Sequence, residues 1–503
     1  MTRSAGDSFE LVEATVAEVH DAIERGELTA ERLVDRYLER IRAYDDDLNA
    51  ILTVNDDAPR RAARLDSRFE TDGFVGPLHG VPVVLKDNHN THDMPTTAGA
   101  SGLADLVPPT DATVVKRLRD AGAVVVAKAN LQELSFGVDT ISSLGGETRN
   151  AYALDRRPSG SSGGTAASIA ANLGLVGTGS DTCSSVRSPP AFNNLVGVRP
   201  TRGLVSRTGI VPLSETQDTA GPITRTVADA ARMLEVMAGY DADDPVTARG
   251  VGNVPEQGYV SHLDEGGLDG ARIGVVREFF GLRDDESAPA ERAAAVTDVV
   301  DAAIEDMRAA GADIVDPVDV DGTGLLESAR VLHYEFKRDM DEYLDAYGDA
   351  ASCDSLTELV ESGEVTPTVA SRIRRDGILD VDVGELSRNP AYLRRLARRD
   401  DIATETTQLF VEHDLDALLY PPATIPPVEI PANQPFAELN CELAAHTGFP
   451  SIVVQAGFTD GGLPVGVELL GREFAEPRLL ELAYAYEQAT AHRRPPSAFG
   501  ALE

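Results

Sequence analysis

Two glycine- and serine-rich stretches, Ser159-Gly-Ser-Ser-Gly-Gly164 and Gly179-Ser-Asp-Thr-Cys-Ser-Ser185, have the composition best suited to chemistry. Backbone N–H groups in such loops attract either phosphate oxygens or the oxyanion of a reacting carbonyl. Phosphate binding fits poorly. Gly177-Thr-Gly179 is only a fragment of a dinucleotide fingerprint, and no Gly-Lys-Ser/Thr follows either loop. Acyl transfer fits better, since it needs a nucleophile, a base and N–H donors aimed at the carbonyl oxygen. A serine ending a tight polar loop supplies the first and third. A lysine can act as the base when burial lowers its pKa, because desolvation disfavours the ammonium form. Lys86 directly follows the apolar run Val81-Pro-Val-Val-Leu85, so its head should emerge at the carboxyl end of a strand. Lys128 also follows a strand, where a structural role accounts for it. His89, His92 and Asp93 cluster without a fourth ligand elsewhere and read as loop polarity, so no metal is expected.

These residues need a scaffold that brings strand ends and loops together. Residues 10–50 read as two helices, the second with Thr29 as N-cap and Leu33, Tyr37 and Ile41 at helical spacing. From about residue 78, short β-rich runs alternate with helices: strands at 81–85 and 123–127, helices at 112–121 and 165–172. Segments 285–312 and 322–412 read as mostly helical. Strands follow at 417–420, 451–454 and 465–470, with a rigid Pro-rich turn at 421–431 and a closing helix at 476–490. The alternation predicts an α/β fold: one large α/β/α domain with a mixed, mostly parallel sheet covered by helices on both faces. Within it, 1–70 forms a helical segment packed on the core, 71–240 the core itself, and 241–503 the half that completes the domain.

Bulk properties narrow the function. With 503 residues, 42% hydrophobic and 25% charged, the chain is of globular composition. No run approaches the roughly 18–20 apolar residues that span a bilayer, and the N-terminus lacks a signal-peptide pattern, so no membrane association and a cytoplasmic location are expected. The net charge of −38 leaves no basic stripe for phosphates, which excludes direct nucleic-acid binding. Charge of this size points to a halophile, where molar salt screens self-repulsion within about 3 Å. Its three cysteines, Cys183, Cys353 and Cys441, suggest neither a disulfide framework nor a zinc site.

Gly80-Val-Pro-Val-Val-Leu-Lys-Asp-Asn88, Gly160-Ser-Ser-Gly-Gly164 and Gly179-Ser-Asp-Thr-Cys-Ser-Ser-Val-Arg187 together resemble the central blocks of the amidase signature family. Pro95-Thr-Thr-Ala-Gly99, residues 121–130 and Thr447-Gly-Phe-Pro450 extend the likeness over nearly the whole chain. The resemblance implies an amidase without cofactor, acting on a small-molecule amide through an acyl-enzyme, with a homodimer as an allowed assembly. It makes Lys86 the base, Ser161 a bridging serine on a cis peptide bond, and Ser185 the nucleophile. Backbone N–H groups of Thr182, Cys183, Ser184 and Ser185 would form the oxyanion hole, with Ser162, Asp181 and Arg187 holding the loops. Cys183 is a rival nucleophile chemically, but it sits two residues from the matching position and would need a partner histidine. The helical excursion at 320–412 and the region of the Pro-rich turn would line the substrate pocket. One departure stands out: Cys183-Ser184 replaces the family's usual Gly-Gly, which would strain the loop if either residue needed φ > 0. That departure makes a catalytically inactive member one alternative. The other is the amidase subunit of a tRNA-dependent amidotransferase. Against it, Glu438-Leu-Asn-Cys441 and Ala444-Ala-His-Thr-Gly448 stand where those subunits carry Asp-x-Phe-Thr and Ala-Asn-Leu-Ala-Gly.

Overall fold

The computed structural model describes residues 9–282, 288–320, 326, 328–348 and 351–502. The expected helical segments 1–70, 285–312 and 322–412 therefore lie partly outside the described residues. Thirteen strands are described: β1 Ile51–Val54, β2 Pro82–Lys86, β3 Val124–Ala129, β4 Ile141–Ser142, β5 Gly146–Glu147, β6 Val176–Asp181, β7 Val196–Arg199, β8 Thr219–Thr224, β9 Arg272–Val275, β10 Asp313–Val315, β11 Ala417–Tyr420, β12 Ser451–Phe458 and β13 Pro464–Leu470. Apart from the β4–β5 hairpin they form one sheet, ordered β1-β3-β2-β6-β8-β7-β12-β13-β11-β9-β10.

This sheet is mixed but not mostly parallel as expected. Six neighbouring pairs are antiparallel and four are parallel. The reason lies in the connections. A parallel crossover takes a dozen or more residues, whereas β12 and β13 are joined by residues 459–463 alone, which permits only a hairpin. The expectation of helices on both faces holds. Val16–Glu24, Val227–Met237, Ala290–Ala309 and Glu476–Thr490 contribute to one core layer. Ala30–Leu48, Ala58–Asp72 and Gly163–Ala170 contribute to the other. Among the described residues, no helix is long and apolar enough to cross a membrane.

Local signals explain the elements that carry the site. Thr29 caps Ala30–Leu48 by accepting from Arg32 N–H, and Leu33, Tyr37 and Ile41 are buried. The central strands β2, β3 and β6 are buried along their whole length, as strands covered on both faces must be. β2 runs parallel to β6, with Val83 opposite Val176 and Val84 opposite Gly177, so both carboxyl ends finish at one sheet edge. The glycines of this region permit close approach. A Cβ on Gly164 would lie 2.1 Å from the Asn130 carbonyl oxygen, and one on Gly179 would lie 2.6 Å from Val186.

Candidate active site

Lys86 is the last residue of β2 and is fully buried. Its Nζ donates to Ser161 Oγ at 2.6 Å and to Ser180 Oγ at 2.9 Å. Burial pushes its pKa down to about 7, against the opposing pull of Asp181 and Asp218. Ser161 precedes the Gly163–Ala170 helix, and the Gly160–Ser161 peptide is cis. The Ser161 backbone N–H donates to Ser185 Oγ at 2.9 Å, so Ser161 touches Lys86 through its hydroxyl and Ser185 through its backbone. Ser185 follows β6 in the short loop that leads to the Ser188–Phe192 helix.

That loop is tied down at several points. Asp181, ending β6, accepts from Val186 N–H at 3.0 Å and pairs with Arg187 at 3.2 Å and Arg199 at 2.6 Å. Burial alone would raise the Asp181 carboxyl, but the two guanidiniums hold it below the ordinary carboxylate range. Arg187 also pairs with buried Glu468 at 2.7 Å and donates to the Cys441 carbonyl at 3.2 Å. Thr182 donates through Oγ1 to Asp218 at 2.5 Å, and its carbonyl accepts from Gln217 Nε2 at 3.0 Å. Ser162 reaches the Ser180 carbonyl at 3.4 Å. Among the described residues, no acceptor within the chain engages the N–H groups of Thr182, Cys183, Ser184 or Ser185. Neither Cys183 nor Ser184 has positive φ, so the strain anticipated from the missing glycines is absent.

One expectation fails here. Cys183 and Cys441 form a disulfide across 258 residues, with their Cα atoms 5.0 Å apart. The absence of a closely spaced cysteine pair in the sequence hid it. Cys441 immediately precedes the Glu442–Thr447 helix, and the fold seats it against the loop that carries Ser185. Cys183 is thereby removed as a free thiolate nucleophile. The other polar residues have structural partners. Lys128 pairs with Asp87 at 3.0 Å and donates to the Pro95 carbonyl at 2.9 Å. His89 is buried with Nδ1 3.0 Å from Asn88 Oδ1. His92 contacts Asp111, and Asp93 takes both arms of Arg119.

Ser185 opens onto a cavity of about 260 Å³. Phe136, Val138 and Leu213 supply apolar wall. Arg330, His333 and Arg372, from the 320–412 excursion, supply polar wall. Phe436 lines it too, whereas the 421–431 segment packs on 155–157, with Arg157 N–H donating to the Val428 carbonyl at 3.0 Å. Sequence reasoning missed Ser180, Gln217 and Asp218. Ser180 stood inside a matched block with no role attached; the other two carried no motif.

A buried lysine of lowered pKa, hydrogen-bonded to a serine whose backbone holds a second serine beside free N–H donors, is equipped for serine-based acyl transfer. The family model described as Amidase matches residues 32–480, and the chain belongs to that family. It is a hydrolase of amide C–N bonds. The chain is 34% identical to a probable amidase of Arabidopsis thaliana, covering 97% of this chain and 92% of that one. It is 35% identical to a glutamyl-tRNA(Gln) amidotransferase subunit from Moorella thermoacetica, covering 97% and 99%. Its fold superposes on the crystal structure of peptide amidase from Stenotrophomonas maltophilia with a TM-score of 0.86, 37% identity and coverage of 97% and 99%.

Proposed function

We propose that the protein is a free-standing amidase in which Ser185 is the nucleophile, Ser161 the relay and Lys86 the base. Neutral Lys86 draws a proton through Ser161 as Ser185 attacks the amide carbonyl. The N–H groups of residues 182–185 receive the oxyanion, and the lysine returns the proton to the leaving amine. Water then releases the acid from the acyl-enzyme. The observation that carries this reading is the Lys86 Nζ–Ser161 Oγ contact of 2.6 Å, with the Ser161 backbone N–H, 2.9 Å from Ser185 Oγ, holding the nucleophile beside the relay residue. A serine-directed phosphonate tests it: wild type should label and Ser185→Ala should not. Labelling that survives the substitution overturns the assignment, and unlabelled wild type favours an inactive member.

The 37% identity to peptide amidase supports peptide-like amides as first substrates to assay, against aliphatic and aryl amides. The similarity to the amidotransferase protein supports a second reading, in which ammonia passes to a partner. Co-purification with another polypeptide, or glutaminase activity that appears only with one, would decide for it. The net charge of −38 supports a salt-rich cytoplasm as the setting. Melting temperature rising steeply with KCl toward molar concentrations would bear this out. The Cys183–Cys441 bond runs against the cytoplasmic part, since reducing cytosols keep thiols unpaired. Counting alkylatable thiols in protein taken from its native cell settles that conflict.

A further inference from the structure

We propose that the Cys183–Cys441 disulfide positions the oxyanion-hole N–H groups, and that its reduction by a small thiol slows acyl transfer while leaving nucleophile and base in place. The proposal rests on the amidase reading. Its basis is the uneven tethering of the nucleophile loop. Thr182 is held through its side chain and carbonyl by Asp218 and Gln217. The Ser184 carbonyl accepts from the N–H groups of Arg187 and Ser188, at 2.8 and 2.9 Å. Between them, among the described residues, Cys183 makes no hydrogen bond, and the disulfide is its one cross-connection. The far end of that bond is firm. Cys441 is buried, and its carbonyl accepts from Arg187 Nη2 at 3.2 Å and from Ala445 N–H at 3.3 Å. Here a covalent tie fixes the peptide that would present the Cys183 N–H to the cavity.

The same geometry makes the bond reachable from one side. Cys183 is partly exposed and lines the cavity, whereas Cys441 is buried behind it. A thiolate entering the cavity attacks Cys183 Sγ. The S–S electron pair leaves on Cys441 Sγ, which takes up a proton. A second thiol then attacks the outer sulfur of the mixed disulfide, releasing the oxidised small disulfide and protonated Cys183. The protein gains two electrons and two protons in all.

The test compares purified wild type with the same protein reduced by dithiothreitol, counting thiols by alkylation and mass spectrometry. One free thiol, Cys353, is expected before reduction and three after. We expect kcat to fall about ten- to a hundredfold, less than the hundred- to thousandfold cost of deleting an oxyanion donor outright. KM should stay within about twofold, the pH at half-maximal rate should not move, and reoxidation should restore kcat. Cys441→Ser should behave as the reduced enzyme; if that variant does not fold, reduction of the folded wild type still decides. Three alkylatable thiols before reduction, or equal kcat in both forms, overturns the proposal. So does a loss of rate accompanied by a moved pH midpoint, which would mark general loosening of the site. Absence of turnover and of Ser185 labelling in both forms defeats the amidase reading, and this proposal with it.

Discussion

The floor and the wall of the cavity are held by opposite means. On the floor, Lys86 is wholly buried, and the Asp181–Arg187–Glu468 network behind it has side chains at most 1% exposed. On the wall, Arg372 and Arg375 are 34% and 72% exposed and pair with Asp376 at 3.7 and 3.0 Å. Pairs at the surface contribute about 0–1 kcal/mol, because solvent screens them. Losing one member of a buried pair costs about 3–5 kcal/mol, because the survivor is left charged and unsolvated. The difference separates two jobs. A reaction centre needs donors and charges fixed before substrate arrives, which a buried, strand-anchored floor supplies. A wall that draws on part-exposed arginines such as Arg372 and Arg375 can be altered there without unfolding the floor.

The largest effect should come from Ser185→Ala, with kcat/KM in a chromogenic amide assay falling about 10⁴-fold or more, as for other covalent nucleophiles. A drop of under tenfold would move the nucleophile elsewhere. Lys86→Ala should cost about 10²- to 10⁴-fold, the usual reach of a general base. On the proposed mechanism the neutral amine is the active form, and with its pKa lowered to about 7 the wild-type kcat/KM should rise through pH 7 and level off above. At pH 6 it should be about a tenth of the plateau. The Lys86→Ala residual rate should lack that limb; a limb that survives assigns it to another group. Next in size, Asp181→Asn leaves buried Arg187 and Arg199 short of a carboxylate, and should lower unfolding free energy in denaturant by about 3–5 kcal/mol. A change below 1 kcal/mol would mean that the floor is not held as described.

The floor was also the legible part. Lys86 announced itself by following an apolar run, because a strand buried on both faces leaves its first polar residue at the edge. The two serine loops were visible in composition, but Ser161 as relay came only through family resemblance, since nothing in local spacing specifies its partner. Cys441, Gln217 and Asp218 were illegible for a common reason. Each meets the loop that carries Ser185 through packing between segments distant along the chain or without a motif, so periodicity carries no trace of it. The direction of strand pairing was legible in part. Residues 459–463 are too few for a crossover, and that length alone marks β12–β13 as antiparallel. Reading strand–helix alternation as mostly parallel passed over it.

The smallest predicted effect probes the wall. Arg372 stands 4.7 Å from the Phe136 ring centroid, and both residues line the cavity. Its side chain can meet substrate either as a charge or as part of an arginine–aromatic face. In neither role does it touch Lys86, Ser161 or Ser185, so Arg372→Ala should change binding and leave the chemical step alone. The expected result is a KM change of about three- to tenfold, with kcat within twofold, the pH limb unmoved and stability within about 0.5 kcal/mol, the range of surface substitutions. Arg375, more exposed and paired with Asp376, should show less. If Arg372→Ala instead lowered kcat as far as Lys86→Ala does, wall and floor would be one energetic unit, and the separation drawn from their burial would be wrong.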